Sequence, residues 1–268
     1  MKNMIENSDA QKSPSLCIGI LTMNEERRIK ECIESASFGN SICVVDSGSS
    51  DETCHIAEQA GAKVYIYEDW KGFAIQRNRL LSHVDDDYIF FLDADEIITP
   101  ELAIEIQDAI ATGYEAAWIA GWTEISFGRN LNWMKSTGGR RLFKTNSISR
   151  FQGEVHEEVI MKNSKVPVLK LKNKLLHYSR ETVHGSLLKL AQYSHLGALK
   201  RSGKGKTGGV FRGIFSGVAI FIRLYFFRRG ILCGAEGFLF CFFIALECFF
   251  RYAALKYDLK AVTKLLPR

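Results

Sequence analysis

The chain of 268 residues is 47% hydrophobic and 24% charged, which excludes wholesale disorder and allows one sizeable core with a smaller appendage. Its net charge of +5 is unevenly spread: residues 183–268 hold fourteen Lys and Arg against three Asp and Glu, and residues 1–182 hold twenty-one against twenty-seven. The seven cysteines offer no CxxC or Cys/His ligand spacing and fit a reducing cytoplasm, while an acidic front and a basic, Phe-rich back predict two separate tasks.

Residues 1–12 are polar and lack the apolar core of a secretory leader, so residues 1–14 are expected to form a loose tail and secretion is not expected. From Ser15 short apolar runs alternate with amphipathic stretches. Residues 16–22 form a continuous apolar run of strand length, Asn24 is placed to cap a helix, and Ile29, Ile33 and Ala36 follow at helical spacing. Residues 41–46 predict a second buried strand, and Ser50-Asp51-Glu52 opens a helix that stops at Gly61. A third strand follows at 62–67, a third helix at 70–82 and a fourth strand at 88–92, and Pro100 stands in the favoured first turn of another helix.

This alternation predicts an α/β fold whose central sheet is mainly parallel, with helices on both faces. Ligands in such sheets bind beyond the carboxyl ends of the strands. Three of those ends are polar here, at Thr22-Met23-Asn24-Glu25, Asp46-Ser47-Gly48-Ser49 and Asp93-Ala94-Asp95-Glu96, and all three are expected at one sheet edge. Strand-like pieces at 116–122, 141–144, 166–171 and 175–178 predict an antiparallel extension.

Asp93 and Asp95 lie two apart at the end of an apolar strand, so in an extended segment both carboxylates would point the same way and meet one hard cation such as Mg²⁺ or Mn²⁺. A helix-capping acidic turn is the plainer alternative. Asp46 precedes a loop of small residues and could accept from a base N–H; capping of the next helix is the competing role. Residues 202–209 (SGKGKTGG) are flexible and basic but lack the spacing and the preceding strand of a nucleotide-binding phosphate loop.

Together Thr22-Met23-Asn24-Glu25-Glu26, Val44-Val45-Asp46-Ser47-Gly48-Ser49-Ser50-Asp51, Gln76-Arg77-Asn78 and Phe91-Leu92-Asp93-Ala94-Asp95-Glu96 resemble glycosyltransferase family 2, inverting enzymes with the GT-A fold. Gly153-Glu154-Val155-His156-Glu157 narrows the likeness to the bacterial lipopolysaccharide-core β-1,4-glucosyltransferase branch, and the resemblance runs over residues 15–177. It implies that Asp46 contacts uracil, that Asp93 and Asp95 hold metal and sugar diphosphate, and that Glu157, with Glu154 second, takes the proton of the acceptor hydroxyl. His156 is carried as a metal or phosphate contact or as a structural histidine. Arg140 and Arg141 are candidates to clamp phosphate, one of the two facing solvent. Thr22, Asn24, Glu25, Arg77 and Asn78 complete the donor-side candidates.

Residues 15–182 are therefore expected to form the catalytic unit. Residues 183–268 are expected to form a helical, membrane-associated region. The uncharged stretches 213–222 and 237–246 are ten residues each and fall short of a membrane span. Glu236 and Glu247, eleven apart, share one helix face, and Arg212, Arg223, Arg228, Arg229 and Arg251 bracket the apolar runs. The pattern predicts amphipathic helices in the interface of an anionic membrane; packing on the catalytic core is the alternative, and a nucleic-acid partner is not expected. The functional expectation is a hexosyltransferase using a nucleotide sugar, with UDP-glucose favoured, on a lipid-linked or lipopolysaccharide-core saccharide at the inner face of the cytoplasmic membrane. A non-catalytic saccharide- or nucleotide-binding component is the competing class. A nucleotidyltransferase would want a Gly-rich basic loop after the first strand, where this chain is acidic.

Overall fold

A computed structural model describes residues 13–136, 138–153 and 158–258. The chain opens with β1 (Leu16–Thr22), α1 (Ile29–Ser35), β2 (Ser41–Asp46), α2 (Thr53–Gln59), β3 (Lys63–Ile66), α3 (Phe73–Leu81) and β4 (Tyr88–Asp93). It continues through β5 (Glu96–Ile97), α4 (Pro100–Ala111), β6 (Ala117–Ser126), β7 (Arg129–Asn130) and β8 (Gly139–Lys144). A hairpin of β9 (Ile148–Gln152) and β10 (Glu158–Met161) precedes β11 (Val168–Arg180), and helices α5 (Val183–Ser202), α6 (Val210–Ile222) and α7 (Gly234–Tyr257) close the described chain.

The central sheet runs in the order β3-β2-β1-β4-β8-β6-β11-β5, with β7 added on β6. β3, β2, β1 and β4 are mutually parallel, as the apolar runs predict. β8 is antiparallel to both neighbours, but β11 runs parallel to β6, so the expected antiparallel extension is only half of what is found. β11 reaches β6 after a long excursion through the β9–β10 hairpin, and this gives the chain room to return in the same direction.

Two cores follow from the alternation of side chains on the strands. Leu16, Ile18 and Ile20 of β1 face α1 and α4, joined by Phe90 and Leu92 of β4. Cys17, Val45, Ile89 and Phe91 face the other way, onto Ala74 and Leu80 of α3 and Phe151 of β9. Burial of each large aliphatic or aromatic side chain contributes about 1.5–3 kcal/mol. α4 starts where Pro100 predicts it, with the Thr99 hydroxyl accepting from the Leu102 N–H. α1 does not start at Asn24. Asn24 adopts a left-handed conformation (φ +55°) in the loop, and its amide oxygen accepts from the Ser50 N–H at 2.8 Å, tying two strand-end loops together.

The C-terminal helices pack back onto this body. α6 and α7 are antiparallel, since Gly213 lies against Phe249 and Gly217 against Ala245. The shared face of Glu236 and Glu247 is turned to the sheet: Glu247 pairs with buried Arg180 at the end of β11, and Glu236 with Arg129 of β7 at 3.1 Å. Leu131 and Met134 share a core with Leu224, Phe240 and Cys241. Helix continues through Arg223 and Glu247, so the helical stretches Val210–Phe227 and Gly230–Tyr257 are long and apolar enough to cross a membrane by length and composition. Counting only uncharged runs of ten residues undersized them.

Candidate active site

The parallel register sets Thr22 of β1 beside Asp46 of β2, and Leu21 of β1 beside Asp93 of β4. The three polar strand ends therefore meet at one edge, as the sequence predicts. Thr22 is buried, and its hydroxyl has no hydrogen-bond partner among the described residues. Asp46 is fully buried, and its carboxylate accepts from the N–H groups of Gly48 and Ser49 at 2.8 and 2.7 Å and from the Ser49 hydroxyl. Gly48 allows this return because its φ of +91° turns the loop back over the strand end. Asp46 thus shapes the loop as well as lining the edge.

The acid pair does not keep the extended geometry assumed for it. β4 ends at Asp93, and Ala94-Asp95 form a turn, so the two carboxylates meet different partners. Asp93 receives Arg77 of α3 at 3.2 Å and Arg141 of β8 at 3.0 Å. Desolvation opposes its ionisation, yet Arg141 and Arg77 outweigh it and hold Asp93 well below the usual carboxylate range. Arg141 also donates to Glu96 at 2.6 Å, and Glu96 accepts from the Asp93 N–H at 3.0 Å. Burial pushes Glu96 up to about 7 against the pull of Arg141.

Asp95 instead stands 3.6 Å from His177 Nε2 on β11 and 3.7 Å from Lys189 Nζ on α5. The other ring nitrogen of His177 lies 3.3 Å from Glu124 of β6. Burial alone would lower the imidazole, but its hydrogen bonds to Asp95 and Glu124 overcome that and raise it to about 11. Glu25 lies in the same field. Burial first and Asp95 second push its carboxyl to about 7.

Of the remaining candidates, Arg140 is exposed and Arg141 buried, the split expected of neighbours on a strand. Asn78 is a clamp on β9: its amide donates to the Phe151 carbonyl at 2.9 Å and accepts from the Phe151 N–H at 2.7 Å. Glu154, His156 and Glu157 lie outside the described residues. Glu158, next in the chain, lines a cleft of about 650 Å³ together with Arg77, Asp93, Trp122, Arg141 and Phe151.

A model of the family described as Glycosyl transferase family 2 matches residues 17–163, more than half of the chain. The chain belongs to this family. The lipopolysaccharide core biosynthesis glycosyltransferase LpsC of Rhizobium meliloti is 29% identical over 82% of this chain and 84% of its own length. An uncharacterized glycosyltransferase of Rickettsia felis is 29% identical over 90% of this chain and 89% of its own. Among solved structures, Staphylococcus aureus TarS 1–349 in complex with UDP-GlcNAc aligns with 64% of this chain at 20% identity and a TM-score of 0.47, this chain spanning 60% of its length. The chain is thus a family 2 glycosyltransferase of GT-A fold, with a relative that acts in lipopolysaccharide core biosynthesis.

As donors to a metal, the residues of this glycosyltransferase differ in kind. Among the described residues no three His, Cys, Asp or Glu side chains form a metal-holding group. Mg²⁺ is commonly held through one or two carboxylates together with substrate phosphates, so a small protein ligand set suffices. Asp95 and His177 form such an oxygen and nitrogen set and fit a divalent cation. Asp93, neutralised by two guanidinium groups, fits the role of an anchor that orients Arg77 and Arg141. Sequence reading missed His177. Its signal was a lone polar ring in the apolar run Leu175-Leu176-His177.

Proposed function

We propose that this family 2 glycosyltransferase moves a hexose from a nucleotide sugar, with UDP-glucose the first donor to test, onto a lipopolysaccharide-core or other lipid-linked saccharide with inversion. The observation that carries the reading is the meeting of Asp46, Asp93, Asp95 and His177 at one edge beside a cleft lined by Arg77, Arg140 and Arg141. Guanidinium groups held at fixed angles by Asp93 and Glu96 suit the oxygens of a diphosphate. The orphan hydroxyl of Thr22 and the backbone of the Asp46 loop provide polar contacts for the nucleoside, and Phe91, Trp122 and Phe151 give the cleft apolar walls for a sugar ring.

Mg²⁺ or Mn²⁺ held by Asp95 and His177 would supply charge stabilisation of the diphosphate leaving group. Binding of that cation requires His177 to give up the proton that Asp95 and Glu124 hold on it, and Glu124 then keeps the neutral imidazole oriented through its second nitrogen. Glu157 is the proposed base for the acceptor hydroxyl, with Glu154 as the second choice; its neighbour Glu158 lines the cleft that contains Asp93.

A division near residue 182 between a catalytic unit and a membrane-facing helical unit completes the proposal. α6 exposes Phe211, Phe215, Val218 and Ile222, which recur at helical spacing along one side, with Arg212 and Arg223 at its ends. α7 is tied to the catalytic body through Arg180 and Arg129, so this side of α6 would lie in the plane of an anionic cytoplasmic membrane face. The test is purified full-length protein with Mg²⁺ or Mn²⁺ and a panel of nucleotide sugars. Release of nucleoside diphosphate or thermal stabilisation by one donor is expected, and the absence of both with every donor would overturn the reading.

A further inference from the structure

A second cleft, of about 800 Å³, opens where the end of α5 meets the start of α6 and the end of α7. Lys200, Arg201, Lys204, Lys206, Arg212 and Arg251 line it. Among the described residues Glu247 is the one carboxylate in the wall, and it is already paired with Arg180. Among the described residues none of the six cations forms an ion pair with an acidic side chain.

The three arginines are held in place. Arg212 donates to the carbonyl and hydroxyl of Thr207, both at 2.7 Å, and Arg201 stacks over the Tyr252 ring at 5.1 Å. Gly197 makes room for Arg251, since a Cβ there would stand 2.4 Å from Arg251 Nε, and that nitrogen is buried without a hydrogen-bond partner among the described residues. Desolvation first, and then the crowding of Lys204, Arg201 and Arg251, lowers Lys200 from its ordinary value. The glycine-rich segment rejected as a nucleotide loop supplies Lys204 and Lys206 to this wall.

The position of the cleft relates it to the reaction. Phe73 in its wall lies one turn before Arg77 on α3, and Tyr193 one turn after Lys189 on α5. Arg77 reaches Asp93 and Lys189 reaches Asp95. From α6 the cleft takes Arg212, the neighbour in sequence of Phe211, where that helix's exposed apolar side begins. It therefore lies between the donor edge and the membrane-facing helix.

We propose that this cleft binds a phosphate ester borne by the lipid-linked acceptor and so sets the acceptor saccharide against the donor site. Arg supplies a bidentate fork to phosphate oxygens and Lys a point charge, and the cleft holds three of each. The inference rests on the lipid-linked acceptor of the functional reading.

The experiment uses the full chain and the variants Lys200→Glu/Lys204→Glu and Lys204→Ala/Lys206→Ala, the latter at two exposed side chains. The probes are inorganic phosphate, phosphatidylcholine vesicles, and the same vesicles with phosphatidic acid. Phosphatidic acid vesicles are expected to bind the wild type, with Kd raised roughly tenfold for each cation removed and more for charge reversal. Loss on vesicles alone assigns the cleft to a lipid headgroup, and loss on vesicles and inorganic phosphate together to the phosphate group whatever carries it. Unchanged binding of both probes by both variants overturns the proposal. Thermal stabilisation by UDP-glucose, read on the same samples, separates the two readings. Stabilisation with unaltered phosphate binding sinks the cleft alone, and phosphate loss without stabilisation by any nucleotide sugar counts against the donor reading alone.

Discussion

Arg141 joins two carboxylates of the same strand end, donating to Asp93 at 3.0 Å and to Glu96 at 2.6 Å. Glu96 is 1% exposed, so this guanidinium is what allows an acid to sit beneath the donor edge. Replacing Arg141 with Met is expected to strand Glu96 and to lower stability by roughly 3–5 kcal/mol. Chemical denaturation of the variant measures this. A loss below about 1 kcal/mol would mean that Glu96 is neutral and indifferent to its partner.

Asn78 matched the family motif as a donor contact, yet both ends of its amide are spent on the backbone of Phe151. Asn78→Ala is expected to cost about 1–3 kcal/mol of stability by orphaning that N–H and carbonyl. The KM for donor should move less than threefold. Kinetics at a temperature where the variant is folded distinguish the roles, and a large rise in KM with unchanged stability would restore Asn78 as a donor ligand.

Glu25 carries a pH dependence whose sign follows from its raised carboxyl. Folding shifts it from 4.5 to about 7, so the native state binds the proton more tightly. Its contribution to stability is full below pH 4.5 and is lost as pH rises through 7. In chelator, Glu25→Gln should remove that decline and gain on the order of 2 kcal/mol relative to wild type at pH 8. Parallel stability curves for the two proteins between pH 5 and 8 would contradict the assignment.

The convergent edge was legible because β1, β2 and β4 are buried on both faces and so read as continuous apolar runs ending in Thr22, Asp46 and Asp93. Parallel register then leaves those ends nowhere else to go. The partners of the acids were not legible. Arg141, His177 and Lys189 come from β8, β11 and α5, and no local periodicity says which distant strand will lie beside β4. Asp95 was misplaced for a local reason, since its turn breaks the alternation that would align it with Asp93. The tail shows the same division. The common face of Glu236 and Glu247 follows from helical geometry, whereas their partners Arg129 and Arg180 could only be seen once the helices were packed on the sheet.

The pairing of Asp95 with His177 separates metal binding from donor clamping. His177→Ala should weaken Mn²⁺ binding in the presence of UDP by more than the roughly 10–100-fold typical of losing a group that only supports a ligand, while leaving UDP binding without metal within a few-fold. Calorimetric titration of Mn²⁺ into protein with UDP reads this. Equal Mn²⁺ affinity in wild type and variant would remove His177 from the metal set.

The central claim is that Asp95 belongs to a working donor site. Release of UDP from UDP-glucose, or from whichever donor stabilises the protein, is measured with Mn²⁺ for wild type and Asp95→Ala, both checked for a folded state. Release by wild type and a fall of about a hundred- to a thousandfold in the variant are expected, as when one charge-stabilising group is lost. Equal release by the two proteins would contradict the claim.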